Sequence, residues 1–185
     1  ERLCPHFHIP LQSGDDYILK KMRRRYTSEE FLNSLQFVRD TIPSASITTD
    51  VIVGFPDESE DMFNNTIKTC NDAMFSKIHI FPYSKRPGTS AYYSNNFVDN
   101  SIIKERSKLL EEISSYYQQQ YLNQMVGTPL KVLWENTKSF NSELYWAGLS
   151  ETYSRVYSKS EELLQNTITS INIDIAKEDY LIGTI

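Results

Sequence analysis

Cysteine, histidine and glycine are all scarce: two, three and six residues among 185. Cys4 and Cys70 stand far apart and make no CxxC spacing. That excludes a disulfide scaffold, and it excludes a cysteine-held cluster built from these residues alone. No run of eighteen apolar residues occurs, so no helical membrane span is expected. The opening Glu1-Arg2 has none of the features of a secretory leader, and the expectation is a cytoplasmic, reduced protein. Positive charge is not in excess either. Lys plus Arg number 19 against 24 Asp plus Glu, a formal net charge of −5, which excludes a uniformly basic nucleic-acid coat but leaves room for a local patch. A start in mid-strand is also unusual, because termini are normally loosely held, and it reads as a cut.

What is present has an alternating rhythm. Residues 5–11 (PHFHIPL) read as a strand that ends in the loop Gln12-Ser13-Gly14-Asp15-Asp16, followed by helical sequence over 17–22. Thr27 and Glu30 have the spacing of a capping box, and Phe31, Leu35 and Val38 continue as an amphipathic helix to about Asp40. Residues 46–54 are apolar or β-branched at nearly every position, as in a strand covered on both faces. Asp57 and Glu60 repeat the cap spacing before a stripe of Met62, Phe63, Thr66, Ile67 and Cys70. A third strand, 77–81, ends at Pro82-Tyr83-Ser84. Strands alternating with crossover-length helices predict an α/β fold with a parallel sheet.

The polar stretch 92–100 separates this part from a long helix reaching Met125, with Ile102, Arg106, Leu109, Ile113, Tyr116 and Gln120 at helical spacing. Gly127-Thr128-Pro129 closes it. Beyond lie short strand candidates at 130–135, 144–147, 153–157 and 167–175, the pattern of a small antiparallel β-barrel. The domain boundary is placed at 126/127, giving domains 1–126 and 127–185.

In parallel α/β sheets ligands collect at the carboxyl ends of strands. Those ends are Gln12-Ser13-Gly14, Gly54-Phe55-Pro56 and Pro82-Tyr83-Ser84. Any one could be ordinary loop punctuation; three at corresponding ends point to one shared site. His6 and His8 share a strand face, with Cys4 on the same side. They read as hydrogen-bonded imidazoles lining a barrel rather than as metal ligands, since one strand cannot easily wrap an ion. Asp50 is a carboxylate in an apolar strand and needs a hydrogen-bond partner, such as Thr48. Lys20, Lys21, Arg23, Arg24 and Arg25 put five cations in six residues beside Tyr26, and Lys85-Arg86 extend the same rim. This patch suits phosphate or another anion.

Cys4–Tyr26 (CPHFHIPLQSGDDYILKKMRRRY), Thr49–Phe63 (TDVIVGFPDESEDMF) and Phe81–Thr89 (FPYSKRPGT) together resemble the methylthiotransferases of the radical S-adenosylmethionine superfamily, enzymes that modify tRNA. The MRRRYT and HIFPYSKRPGT forms favour the threonylcarbamoyladenosine branch over the isopentenyladenosine one, and QSG argues against the ribosomal-protein branch. The resemblance implies the C-terminal half of a partial (β/α)6 TIM-like barrel, its last three strands, and for 127–185 a TRAM barrel that binds RNA. The family uses S-adenosylmethionine and two 4Fe-4S clusters to add a methylthio group to C2 of an N6-modified adenosine. Its six cluster cysteines have no counterpart here, so no catalytic or metal residue is assigned and this chain alone is expected to be inactive. Asp57 departs from the family's usual Gly, a change expected to be harmless because Asp caps helices well.

By the same resemblance Gln12 and Ser13 lie near the cofactor ribose and Arg25 near its carboxylate. Ile52 and Gly54 wall the adenine, and Phe81 and Tyr83 meet its edge through the backbone. Lys20, Lys21, Arg23, Arg24, Lys85, Arg86, Lys131 and Arg155 are the expected contacts to a tRNA anticodon stem-loop. A second reading is a stand-alone RNA-binding module in which Lys131, Lys138 and Arg155 grip phosphates and Trp134, Tyr145, Trp146 and Tyr153 stack on bases or fill the barrel core. A third, an unrelated barrel enzyme using His6, His8 and Asp50, has only generic support. The exposed edge of a half-barrel predicts a homodimer.

Overall fold

The structure, a computed structural model, describes residues 3–140 and 143–185. It divides into two compact units: residues 7–43 with 47–114, and residues 44–46 and 115–185 with the N-terminal segment through His6.

The first unit is built on three parallel strands in the order β1 (His6–His8), β2 (Ser46–Val53) and β3 (Lys77–Pro82). Asp50 sits opposite His79 and Ile52 opposite Phe81. Period-two alternation divides β2. Ile47, Thr49, Val51 and Val53 are fully buried with Phe31, Leu35, Phe63, Cys70 and Phe75, while Asp50 and Ile52, on the other face, are half-buried. The crossovers are α1 (Asp16–Lys21) with α2 (Ser28–Thr41), and α3 (Glu60–Ala73). Asp15 caps α1, and the Thr27/Glu30 capping box forms at α2.

At α3 the cap differs from expectation. Ser59, not Asp57, accepts the Met62 N–H. Asp57 lies two residues before the cap Ser59, with φ +70°, a conformation natural to glycine. Its carboxylate instead accepts from Lys21 Nζ and from Asn96 Nδ2 (2.6 Å). A glycine would meet this backbone's need without strain, and Asp is tolerated there because its side chain gains partners.

Helix α4 (Asn100–Asn123) also turns differently from its sequence pattern. Arg106, Ser107, Leu110, Ser114 and Leu122 are buried, whereas Ile102, Leu109 and Tyr116 are exposed. An ion pair draws Arg106 inward, and Ser114 Oγ accepts the Ile78 N–H (3.0 Å). Polar anchors therefore set the rotation of the helix.

The second unit contains a closed five-stranded barrel: β4 (Pro129–Phe140), β5 (Glu143–Ser150), β6 (Arg155–Ser158), β7 (Ile168–Ala176) and β8 (Tyr180–Thr184), ordered β4-β5-β6-β8-β7. Closure uses one parallel pair, β6 with β8, where an all-antiparallel barrel was expected. Leu130, Val132, Trp134, Trp146, Val156, Ile171, Ile173 and Leu181 form its core with Leu122 and Met125. Gly148 is required at a close approach, because a Cβ there would lie 2.5 Å from the Leu133 carbonyl oxygen.

Candidate functional site

Three loops at the carboxyl ends of β1–β3 form a cleft, and each is locked by different chemistry. Gly14 lies against α3 so closely that a Cβ would come within 2.6 Å of Thr66 Cα. Its N–H donates to Thr66 Oγ1 (3.0 Å), its carbonyl accepts from Thr69 Oγ1 (3.3 Å), and Asn65 Nδ2 donates to Asp15 (2.9 Å). Tyr26 OH donates to the Pro10 and Leu11 carbonyls from the other side. Within this loop Gln12 has φ +66°. It is held there by two backbone bonds to β2, from its N–H to the Asp50 carbonyl (2.8 Å) and from Ile52 N–H to its own carbonyl (2.9 Å). Left-handed backbone at a non-glycine residue costs energy and persists where surroundings enforce it.

The second loop, 54–58, hangs on Glu58. Its Oε2 accepts from Gly54 N–H (2.8 Å) and from Arg106 Nη1 (2.9 Å), while Arg106 Nη2 reaches Glu60 (3.1 Å) and the guanidinium lies over Phe63. The Glu58 and Arg106 side chains are 1% and 7% exposed. Burial pushes the Glu58 carboxyl above its ordinary value, opposed by the Gly54 N–H and by Arg106. The third segment, 84–99, folds back over the cleft. Tyr83 meets Phe55 edge-on (5.3 Å), and Lys85 Nζ sits 3.3 Å from the Phe97 ring centre.

The cleft comprises two adjoining cavities of about 450 and 570 Å³ that share Gln12, Ile52, Phe55, Thr89 and Ala91. Lys21, Arg23 and Arg24 edge one; Asp50, Phe81, Tyr83 and Arg86 line the other. Apolar walls with a few convergent polar groups are the composition of a small-molecule site. Below lies a polar cluster: His8 Nδ1 is 3.0 Å from Thr48 Oγ1, His8 Nε2 is 3.4 Å from Asp50 Oδ2, and the His79 ring stands 5.8 Å from that of His8. Burial, and then Lys77, push the His79 pKa down. The partner of Asp50 is therefore His8, with Thr48 one step further back.

Of the expected cofactor contacts, Gln12, Ile52, Phe81 and Tyr83 line the cleft. Ser13, Gly54 and Arg25 do not. Ser13 is fully buried with its hydroxyl turned to Thr66, because α3 packs over it. Gly54 is buried, and a Cβ on it would meet Ile103. Arg25 is exposed and outside both cavities. Among the expected RNA contacts Lys20, Arg23, Arg24, Arg86 and Lys131 are exposed. Lys21 is engaged by Asp57, Lys85 by Phe97, and Arg155 by Glu135 (2.5 Å). Trp134 and Trp146 are core, while Tyr153 is exposed and stacks on His6. Phe55 lines the cleft from one of the three strand ends expected to form it, whereas Glu58, Thr89, Ala91, His79 and Arg106 were not expected at the site. GFPDE and the third histidine were legible as polar residues near strand ends, but nothing linked Glu58 to a position 48 residues away.

The donor set does not fit an iron–sulfur cluster. Cys4 is exposed, Cys70 is buried with its thiol pushed up to about 12, and no group of three His, Cys, Asp or Glu able to hold a metal occurs among the described residues. No helix among them is long and apolar enough to cross a membrane.

Comparison with known proteins adds four findings. The family model of the Radical SAM superfamily matches residues 1–70. The threonylcarbamoyladenosine tRNA methylthiotransferase MtaB of Bacillus subtilis (strain 168) is 35% identical over 94% of this chain and 39% of its own length. The tRNA-2-methylthio-N(6)-dimethylallyladenosine synthase of Corynebacterium urealyticum is 43% identical over 98% of this chain and 34% of its own length. Among solved structures, coproporphyrinogen III oxidase from Escherichia coli, described as a radical SAM enzyme, superposes with a TM-score of 0.50 at 17% identity, over 64% of this chain and 27% of that one. The last is a likeness of fold. The chain spans about two fifths or less of the length of these curated relatives.

Proposed function

Because this chain is homologous over most of its length to the radical SAM tRNA methylthiotransferases, we propose that it is the cofactor-cradling and RNA-handling part of such an enzyme. In this reading residues 1–126 supply the last three strands of the partial (β/α)6 barrel, and 127–185 form a TRAM-like barrel that holds RNA. The reaction is transfer of a methylthio group to C2 of an N6-modified adenosine in the tRNA anticodon stem-loop. Relatives of both the threonylcarbamoyl and dimethylallyl types align. The MRRRYT and HIFPYSKRPGT segments favour the threonylcarbamoyl substrate.

The observation that carries the reading is the cleft at the ends of three parallel strands, with Ile52 and Phe81 as adjacent walls and Gln12 between its two cavities. Ile52 and Phe81 flank the adenine of S-adenosylmethionine, Tyr83 closes its edge, and Gln12 faces the sugar. Arg23, Arg24 and Arg86 meet RNA phosphates at the rim. Bound to a 4Fe-4S cluster, S-adenosylmethionine supplies the radical chemistry of this superfamily. The donors here do not fit that cluster, or a second one, so no step is assigned to either, and the chain alone is expected to bind without turnover. A closed five-stranded barrel supports RNA binding, since five-stranded Greek-key barrels recur as oligonucleotide binders.

The test is a two-dimensional NMR titration of the 15N-labelled chain with S-adenosylmethionine. The amides of Gln12, Ile52, Phe81 and Tyr83 should shift together and saturate. Shifts confined to other surfaces would refute the assignment.

A further inference from the structure

Residues 84–98 line the cleft through Gly88, Thr89, Ser90 and Ala91, yet no residue of the segment is buried. Its internal hydrogen bonds are local: the Thr89 N–H and hydroxyl donate to the Arg86 carbonyl, Tyr92 N–H to Thr89 and Ser94 N–H to Ala91. Among the described residues only Asp57 hydrogen-bonds the segment from outside. The clasp is reciprocal. Asp57 N–H donates to the Asn96 carbonyl (2.9 Å), and Asn96 Nδ2 donates to Asp57 Oδ1 (2.6 Å). Asp57 Oδ2 accepts from Lys21 Nζ on α1. One ring contact, Phe97 on Tyr83 at 6.5 Å, adds a second tether. Asp57 is itself firmly placed, because the next residue is the buried Glu58, bonded to Gly54 and Arg106. Its φ of +70° is strain that a glycine would avoid, and strain kept at a non-glycine residue points to a use for the side chain.

We propose that Asp57 is the latch of a lid: it holds residues 84–98 over the cleft, and release of Asn96 lets the segment move away as a unit to admit or discharge a small molecule. The inference goes beyond the function proposed above and holds for any small molecule the cleft takes. Three features favour a lid over a fixed loop. A segment without buried residues belongs to the low-stability end of a fold. Its hydrogen bonds to the remainder meet at one residue, so a single break frees it. Lys21 holds the carboxylate by the oxygen that Asn96 does not use, so the latch stays in place while the segment moves.

The experiment is native-state cleavage of the whole 185-residue chain by chymotrypsin at Tyr92 and Tyr93, 39% and 74% exposed. A protease needs more than an exposed side chain: it needs the segment released, and cleavage tracks the open population when opening and closing are fast. Asp57→Gly and Asn96→Leu should each raise the rate at these sites about tenfold, the range for one charged hydrogen bond. Both break the same clasp, so the double variant should cut no faster than the faster single one. Melting read by Trp134 and Trp146 fluorescence should not move. S-adenosylmethionine at saturation should slow the wild-type cut, and its off-rate by NMR exchange should rise in the variants by the same factor. Unchanged cleavage in both single variants overturns the proposal, as does a double variant whose effects multiply. Equal acceleration at the buried Phe63 and Phe75, the mark of general unfolding, also overturns it, and so does an off-rate that stays fixed while cleavage rises. Faster cleavage in the variants, with no affinity for S-adenosylmethionine in any of them, would uphold the latch while removing the proposed function.

Discussion

Replacing Arg106 by methionine tests how the central loop of the cleft is held. The guanidinium is 7% exposed, donates to the Glu58 carboxylate at 2.9 Å and its carbonyl at 3.2 Å, and reaches Glu60 at 3.1 Å. Methionine fills much of the volume but leaves Glu58, 1% exposed, as a buried charge without a cation. Breaking one side of a buried pair costs about 3–5 kcal/mol, or about 6–20 °C in Tm for a chain of this size. The loss falls on the Gly54 N–H bond that shapes the loop, so nucleoside binding should weaken as well. The pH dependence has a definite sign. Burial already raises the Glu58 pKa, and removing Arg106 removes one of the groups opposing that rise. A carboxyl whose folded pKa lies above its unfolded value binds more protons when folded, so its contribution grows as pH falls and is lost as pH rises through the folded pKa. The cost of Arg106→Met relative to wild type should therefore shrink between pH 7 and pH 5. Hydrogen exchange at the Val51 and Gly54 amides reads this unit, while Trp134 and Trp146 fluorescence reads the barrel. Glu58→Gln combined with Arg106→Met should recover much of the loss. A cost below about 1 kcal/mol, or one that does not shrink on acidification, would show that the pair does not anchor the loop.

Other perturbations have equally definite outcomes. Asp57→Gly should change stability by less than about 1 kcal/mol, since relief of the φ +70° backbone offsets loss of a partly buried ion pair. Lys21 holds the Asp57 pKa down, so the wild-type ion pair contributes above the unfolded value and fades as pH falls through the folded one; acid titrations of the variant should lack that step. Trp134→Ala should cost about 3–5 kcal/mol by chemical denaturation, whereas Tyr153→Ala, on the surface, should cost less than about 1 kcal/mol. Alanine at Arg23 and Arg24 should weaken binding of an anticodon stem-loop and reduce the salt slope by about one per lost phosphate contact; an unchanged slope would remove these residues from the RNA surface. Light scattering should find a dimer if the open sheet edge pairs between copies.

The sequence was most legible where a single local rule governs. The Thr27 capping box, the bounds of β2, and the sequence of strands and crossovers followed from spacing and β-branching alone. It was least legible where distant residues cooperate. The rotation of α4 is set by Glu58 and Ile78, which no periodicity of the helix itself can reveal. The cap of α3 was misplaced because Asp57 and Ser59 are both good caps, and only the left-handed backbone at 57 separates them. In the barrel, the second half of β4 carries too many exposed residues to signal a strand, and β8 is a five-residue run interrupted by Gly183, although closure requires it. The cleft residues fared similarly. Gln12 and Ile52 are adjacent to obvious strand ends, but Thr89 and Ala91 lie just ahead of the polar stretch 92–100, which reads as a separator although Asn96 and Phe97 tie it back to Asp57 and Lys85.

Photoaffinity labelling with an azido-adenine analogue of S-adenosylmethionine, followed by peptide mapping, tests the central claim most directly. The account predicts adducts on the peptides carrying Ile52 and Phe81, competed by S-adenosylmethionine and reduced by Gln12→Ala. Adducts that ignore the competitor, or that fall only on the barrel beyond residue 127, would contradict it.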